Sequence, residues 1–273
     1  MRTDPIIGVP FDERHTLHSL LQDGLDDRCS SSSDISRRLF QIRMADSAGK
    51  RSDASILINR MYATRGYRCA GLPENEASRR ITLVASEHDE TIGTISIGFD
   101  SREGLLVDAL FGAETAEMRR AGHRLCEFTK LAIDGVVRSR RVLASLFHVA
   151  YLYSHRVLGG THLMIEVNPR HVNYYKRMLG FQVVGPERLN ERVNAPAVLM
   201  CLDFNHASAQ IEKFGGRSET SASERSLYPF FFSRQDETGI CGRISGTPQA
   251  HLPQAHLLPA RPGARTPQRQ SAH

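Results

Sequence analysis

The chain has 273 residues, enough for one large domain or two small ones, and its 40% hydrophobic and 24% charged residues suit a globular core. Its net charge of +5 is mild and scattered, and tryptophan is absent. A nucleic-acid binder would instead gather its charge in a stripe with interleaved aromatics. Five cysteines (Cys29, Cys69, Cys126, Cys201, Cys241) stand singly without a C-x-x-C pair, which points to a reduced protein rather than a disulfide framework. There is no apolar run of about eighteen residues to span a membrane. Acids and prolines interrupt the N-terminus where a signal peptide needs an unbroken apolar run. A cytoplasmic location without a nucleic-acid partner or a transmembrane segment is the expectation.

Taken in chain order, residues 1–50 read as a partly disordered extension with a serine-rich stretch around Ser30–Ser33. Ser52 or Asp53 can cap a helix through Ile56, Leu57, Met61 and Tyr62 that stops at Gly66. Ile81–Ala85 and Thr91–Phe99 are rich in β-branched residues and flank the polar turn Ser86–Glu90, the pattern of a hairpin. Leu125–Ile133 is a further strand. Val142–Leu158 is apolar on most sides, as a buried helix would be, and meets Gly159-Gly160. His162–Val167 reads as a strand, Asn168-Pro169 opens a helix that Gly180 closes, and Phe181–Val184 and Val198–Phe204 supply two more strands. Residues 206–273 hold six of the twelve prolines and little apolar periodicity beyond the patch Tyr228–Phe232. That tail is expected to be largely disordered, and deleting it to leave activity intact. The folded domain is then residues 51–205, a mixed α/β sheet in which a strand-helix-strand unit joins an antiparallel meander.

Several of these segments resemble a known superfamily. Asn168, the pair Tyr174-Tyr175 and Leu179-Gly180-Phe181 are similar to the C-terminal half of the GNAT acyltransferases, where a tyrosine precedes a Gly-Phe helix end. One extra residue before the glycine leaves both Tyr175 and Tyr174 as the matching tyrosine. Arg60-Met-Tyr-Ala-Thr-Arg65-Gly66-Tyr67, then Gly93–Ser96, then Cys126–Ala132 follow the order seen in the autoinducer-synthase and long-chain N-acyl amino acid synthase branch. The resemblance covers about residues 55–204. It implies a GNAT-like acyl-CoA N-acyltransferase fold and transfer of a medium or long acyl group from a thioester to the amine of an amino acid. Acyl carrier protein or CoA would be the co-substrate carrier, with no bound cofactor and no metal. In that branch the glutamate matching Glu127 belongs to the active site, and Lys130 holds the place of a basic residue three positions later.

Chemical reasoning adds roles and alternatives. Glu127 lies in an apolar strand, where desolvation would raise its pKa toward the range of a general base; the plain alternative is a strand carboxylate paired with a nearby base. Strand alternation separates Glu127 from Lys130 unless a bulge intervenes, and such a bulge would also expose backbone N–H groups to an oxyanion. Tyr175 is the candidate to protonate the leaving thiolate, or else a helix tyrosine packed on the sheet. Arg60 and Arg65 are candidates to hold the acceptor or carrier, and Tyr67 to shape the pocket. GNATs that use acetyl-CoA carry a Gly-rich phosphate loop, whereas Asp134–Arg141 has one glycine and three arginines (Arg138, Arg140, Arg141). Those arginines would suit a phosphopantetheine phosphate and an acidic carrier protein. His148 and His155 share a helix face without a third ligand and read as core or rim residues. Cys126 should face away from Glu127, and direct transfer needs no acyl-enzyme. The competing readings are a homoserine-lactone synthase, a CoA-dependent N-acetyltransferase and a non-catalytic carrier-binding module. The first is weakened because Leu72-Pro-Glu-Asn-Glu76 replaces the acidic segment expected there.

Overall fold

The computed structural model describes residues 5–11, 38–67, 71–72, 80–135 and 139–246. Its centre is a nine-stranded sheet. In chain order the strands are β1 (Ile7–Pro10), β2 (Leu39–Met44), β3 (Arg80–Glu87), β4 (Glu90–Phe99), β5 (Leu125–Ile133), β6 (His162–Val167), β7 (Gln182–Val183), β8 (Arg188–Asn190) and β9 (Ala195–Asp203). They run in the spatial order β1-β2-β3-β4-β5-β6-β9-β7, with β8 also on β9. Every pairing is antiparallel except β5 with β6.

Residues before 51 contribute more than an extension. In β2 every second residue (Phe40, Ile42, Met44) is buried, the alternation of a strand with one covered face, and β1 pairs with it. The serine-rich stretch lies outside the described residues. The first helix, α1 (Ala48–Ala63), starts earlier than Ser52: Ser47 caps it by accepting from the Lys50 N–H at 3.3 Å. Gly66, at φ +73°, ends it as expected. A helix that sequence patterning missed, α2 (Asp108–Arg120), follows β4. Both α1 and α2 cover one face of the sheet, α1 with Leu57 and Ile58 against Ala132, α2 with Phe111 against Leu125, Met164 and Leu199.

The opposite face carries α3 (Arg140–Tyr151), which continues through a π-helical turn at Leu152–Val157 as the expected long apolar segment. Val142 and every residue from Ala144 to Tyr151 are buried. Asn168 then caps a 3-10 turn (Pro169–His171) that leads into α4 (Val172–Leu179), closed by Gly180 at φ +81°.

The expected domain end at residue 205 and the expected disorder beyond it are corrected by residues 206–246. Asp203 caps α5 (Phe204–Phe214), a turn follows at Tyr228–Phe230, and a Ser233/Asp236 capping box starts α6 (Arg234–Ser245). Leu227, Tyr228, Phe230, Phe231, Phe232, Ile240 and Ile244 are all buried in the main core. The physical reason is α3. A helix apolar all round needs cover on the side away from the sheet, and this segment supplies it. The Phe232 N–H donates to His148 Nδ1 at 2.9 Å, and His148 Nε2 meets Glu237 Oε1 at 3.0 Å. Tyr228 Oη donates to the Leu179 carbonyl at 2.7 Å. The remainder of the tail, from residue 247, lies outside the described residues.

Candidate active site

The parallel strands β5 and β6 pair at only three positions, Leu125 with His162, Cys126 with Leu163 and Glu127 with Met164. Beyond them β5 stays with β4 and β6 stays with β9, so the two carboxyl ends part. A gap between parallel strands at their carboxyl ends is where open α/β sheets take ligands. Here it holds a cavity of about 1020 Å³, at the upper end for small-molecule sites.

A bulge interrupts β5 between Glu127 and Ala132. Thr94 pairs with Ala132 and Ser96 with Thr129, so three steps of β5 oppose two of β4. Lys130 takes the strain at φ +50°, and Thr94 Oγ1 donates to its carbonyl at 2.8 Å. The bulge does not bring Lys130 to Glu127 in these bonds. Lys130 lines the cavity and its Nζ donates to the Gly71 carbonyl at 2.8 Å, whereas Glu127 is bonded to Arg80 and the 106–107 backbone.

Glu127 is fully buried and stands in one cross-strand row with Gly98 and Arg80. It forms an ion pair with Arg80 and accepts the N–H groups of Leu106 at 2.9 Å and Val107 at 3.0 Å, at the start of α2. Its side chain is not among those that line the cavity. That is the paired strand carboxylate of the plainer reading, and its bonds anchor the segment that carries Leu106 to the cavity wall. Gly98 makes the arrangement possible: a Cβ there would sit 2.9 Å from both Cγ and Oε1 of Glu127 and 2.8 Å from Nη1 of Arg80. Gly98→Ala is therefore expected to cost about 1–3 kcal/mol through overpacking. A thermal or denaturant unfolding curve shifted by less than about 0.5 kcal/mol would show the cluster to be softer than this packing implies.

Tyr175, Tyr174, Arg65, Tyr67 and Arg140 line the cavity with Lys130. Tyr175 sits among Phe147, Phe181 and Tyr174, and burial pushes its phenol well up from the ordinary value. Tyr67 accepts from Arg170 Nη2 at 2.8 Å and has Arg170 over its ring. Two arginines are elsewhere. Arg60 pairs with Asp134 at 2.6 Å without lining the cavity itself. Arg141 points toward the C-terminal segment, where it bonds the Phe230 carbonyl at 3.2 Å and lies over the Phe232 ring. Successive helical residues face different directions, which separates Arg141 from Arg140. Arg138 lies outside the described residues. Cys126 is buried behind the sheet with burial pushing its thiol up, so it presents no thiolate. His148 and His155 are both committed to contacts away from the cavity, His155 Nδ1 to the Gly160 carbonyl at 2.8 Å. Among the described residues no group of His, Cys, Asp or Glu is arranged to hold a metal.

Sequence reasoning missed Glu166. It sits on the cavity wall near the end of β6, and burial raises its carboxyl above the usual range, opposed by Arg192 and reinforced by the Glu127 charge. One oxygen, Oε2, accepts from Asn190 Nδ2 at 2.6 Å and from the Arg192 guanidinium; the other, Oε1, is buried with no hydrogen-bond partner. The signal was available. Glu166 interrupts an apolar strand two residues before Asn168, a setting in which desolvation acts on a carboxylate as it was expected to on Glu127.

No helix among the described residues is long and apolar enough to cross a membrane. No curated protein matches the chain. Among solved structures, FeeM, an N-acyl amino acid synthase from uncultured soil microbes, is 26% identical with a TM-score of 0.55 over 62% of this chain and 93% of its own. The AHL synthase LasI is 13% identical, with a TM-score of 0.47 over 62% and 91%. An acyl-CoA N-acyltransferase from Pseudomonas aeruginosa is also 13% identical, with a TM-score of 0.41 over 59% and 97%. Residues 53–203 match the family described as N-acyl amino acid synthase FeeM, which is more than half of the chain. The chain belongs to that family and is an N-acyltransferase with a GNAT-like fold.

Proposed function

We propose that the protein joins a medium- or long-chain acyl group, delivered as a thioester on an acyl carrier protein, to the amino group of an amino acid in the β5/β6 cleft. The observation that carries this reading is the cavity itself. About 1020 Å³ is lined by apolar side chains (Ile95, Phe128, Leu131, Ile133, Leu143, Phe147) and by Glu166. An acyl chain suits the first set and a reacting amine the second. A carrier protein is favoured over CoA because Arg65 and Arg140 line the cavity and Asp134–Arg141 lacks a Gly-rich phosphate loop.

Within this reading the Glu166 carboxylate is the general base. As the amine nitrogen attacks the thioester carbon, a C–N bond forms and the C–S bond breaks. The ammonium form of the acceptor sheds two protons in all, one through Glu166 to solvent and one to the departing thiolate. Glu127 and Arg80 act as positioning residues, and backbone N–H groups near the Lys130 bulge are the candidate donors to the oxyanion. Burial leaves the Tyr175 phenol too weak an acid to lose its proton readily, so it serves as a hydrogen-bond donor to the leaving sulfur. Tyr175→Phe is then expected to lower kcat by about tenfold, the size of one lost hydrogen bond. A fall of a thousandfold would instead make the phenol the obligatory proton source.

The function is tested by mass spectrometry of products from the full chain, given acyl-CoA and acyl carrier protein thioesters of several lengths with all free amino acids. N-acyl amino acid formed faster from the carrier protein supports the reading. Faster transfer from CoA overturns the donor assignment, and no product from folded protein overturns the acceptor class.

A further inference from the structure

We infer that the Arg192–Glu166 ion pair is the receptor for the acceptor's zwitterionic α-amino-acid group, with Arg192 taking the α-carboxylate; this rests on the reading of Glu166 as the base.

Both members of the pair line the cavity. Arg192 stands on the turn between β8 and β9 and its side chain is 40% exposed, against 13% for Glu166. Asn190 builds the receptor. It is buried, its Nδ2 holds Glu166 Oε2 at 2.6 Å, and its Oδ1 accepts the Arg192 backbone N–H at 3.0 Å. One side chain thus fixes the carboxylate and the base of the arginine together, whatever the guanidinium does.

An α-amino acid carries its ammonium and carboxylate on either side of one carbon. A carboxylate and a guanidinium already in contact present the opposite poles at a matching separation. The acceptor can enter by exchange: its carboxylate takes the planar guanidinium, which suits a two-point bond, and its nitrogen takes Glu166. The nitrogen takes the place that the guanidinium leaves on Oε2. Exchange also keeps either charge from being left bare in a half-buried site. Arg65 and Arg140 line the same cavity, but neither has a described bond to Glu166. A carboxylate held by them would not tie its own nitrogen to that base.

The test first identifies, from a mixture of the twenty amino acids, the acceptor that the full-length protein uses. That amino acid, its primary amide and its decarboxylated amine are then compared in wild type, Arg192→Gln, Arg192→Lys, Arg65→Gln and Arg140→Gln. In Arg192→Gln the KM for the amino acid should rise about thirtyfold, and its advantage in kcat/KM over the amide should largely vanish, as for the loss of one charge-assisted bond. Arg192→Lys should restore part of it. Collapse of that advantage in Arg65→Gln or Arg140→Gln, or its persistence in Arg192→Gln, overturns the inference. Thermal stabilisation by the twenty amino acids singly, against their amides, is read in parallel without any thioester. Stabilisation by the acid that depends on Arg192, in a protein that transfers nothing, would leave the receptor standing and sink the proposed reaction. Equal stabilisation by acid and amide would sink the receptor whatever the transfer assay gave.

Discussion

A chain cut after residue 205 is expected to yield no soluble, cooperatively unfolding protein. The segment removed buries Leu227, Tyr228, Phe230, Phe231, Phe232, Ile240 and Ile244. At about 1.5–3 kcal/mol for each fully buried large apolar side chain, the loss is roughly 10–20 kcal/mol, as large as the whole stability of an ordinary domain. The cut also takes from His148 the Phe232 N–H, Glu237 and the Phe231 and Phe232 rings stacked on it. A second truncation after Gly246 serves as the control, since it retains every described residue of the segment. Circular dichroism melts and size-exclusion profiles of the two distinguish the outcomes. A folded, active 1–205 fragment would show that the C-terminal segment is an accessory, with the core closed without it.

Glu166→Gln is expected to lower kcat about 10²–10⁴-fold, the usual share of a positioned proton acceptor, while leaving the unfolding midpoint close to wild type. The amide keeps an acceptor oxygen toward Asn190 and Arg192, so the fold loses little. The pH profile gives a sharper sign. With its carboxyl raised by burial, Glu166 is protonated and idle at low pH and becomes competent as pH rises. The rate of wild type should climb through a midpoint above the ordinary glutamate value of about 4.3, and that limb should be missing from Glu166→Gln. A further rise at alkaline pH, from the acceptor's own ammonium, should persist in both. An unaltered acid limb in the variant would pass the titration to another group. Because Glu127→Gln removes the charge facing Arg80, it should instead lower stability more than kcat, which separates the two carboxylates by experiment.

Most of the sheet could be read from residue pattern because its strands are long and β-branched, with the hairpin of β3 and β4 marked by a polar turn. Gly66 and Gly180 announced helix ends because left-handed backbone favours glycine. What could not be read this way is long-range. β1 is four residues long and depends on β2 for its ladder, and the patch Tyr228–Phe232 has no period of its own. The segment becomes ordered only because α3 exposes an apolar back, a fact already implicit in a helix apolar on every side. In the cleft, Tyr175, Arg65, Tyr67, Lys130 and Arg140 were found as chain neighbours of recognisable motifs. Glu127 also matched its motif, yet its direction is set by Arg80 and the 106–107 backbone, partners that are distant in sequence. Glu166 became visible when β8 and β9 brought Asn190 and Arg192 against it.

Arg243 Nε bonds the carbonyl of Ile6, a contact across 237 residues of chain. Beside it, the aromatic cluster behind α3 is assembled from both the middle and the end of the sequence. During synthesis, then, the back of α3 stays bare until about residue 246 has left the ribosome. For that interval the nascent chain carries an exposed apolar helix surface, and the closing contacts are among the most non-local that a chain of this length can make. Slow folding follows from that arrangement.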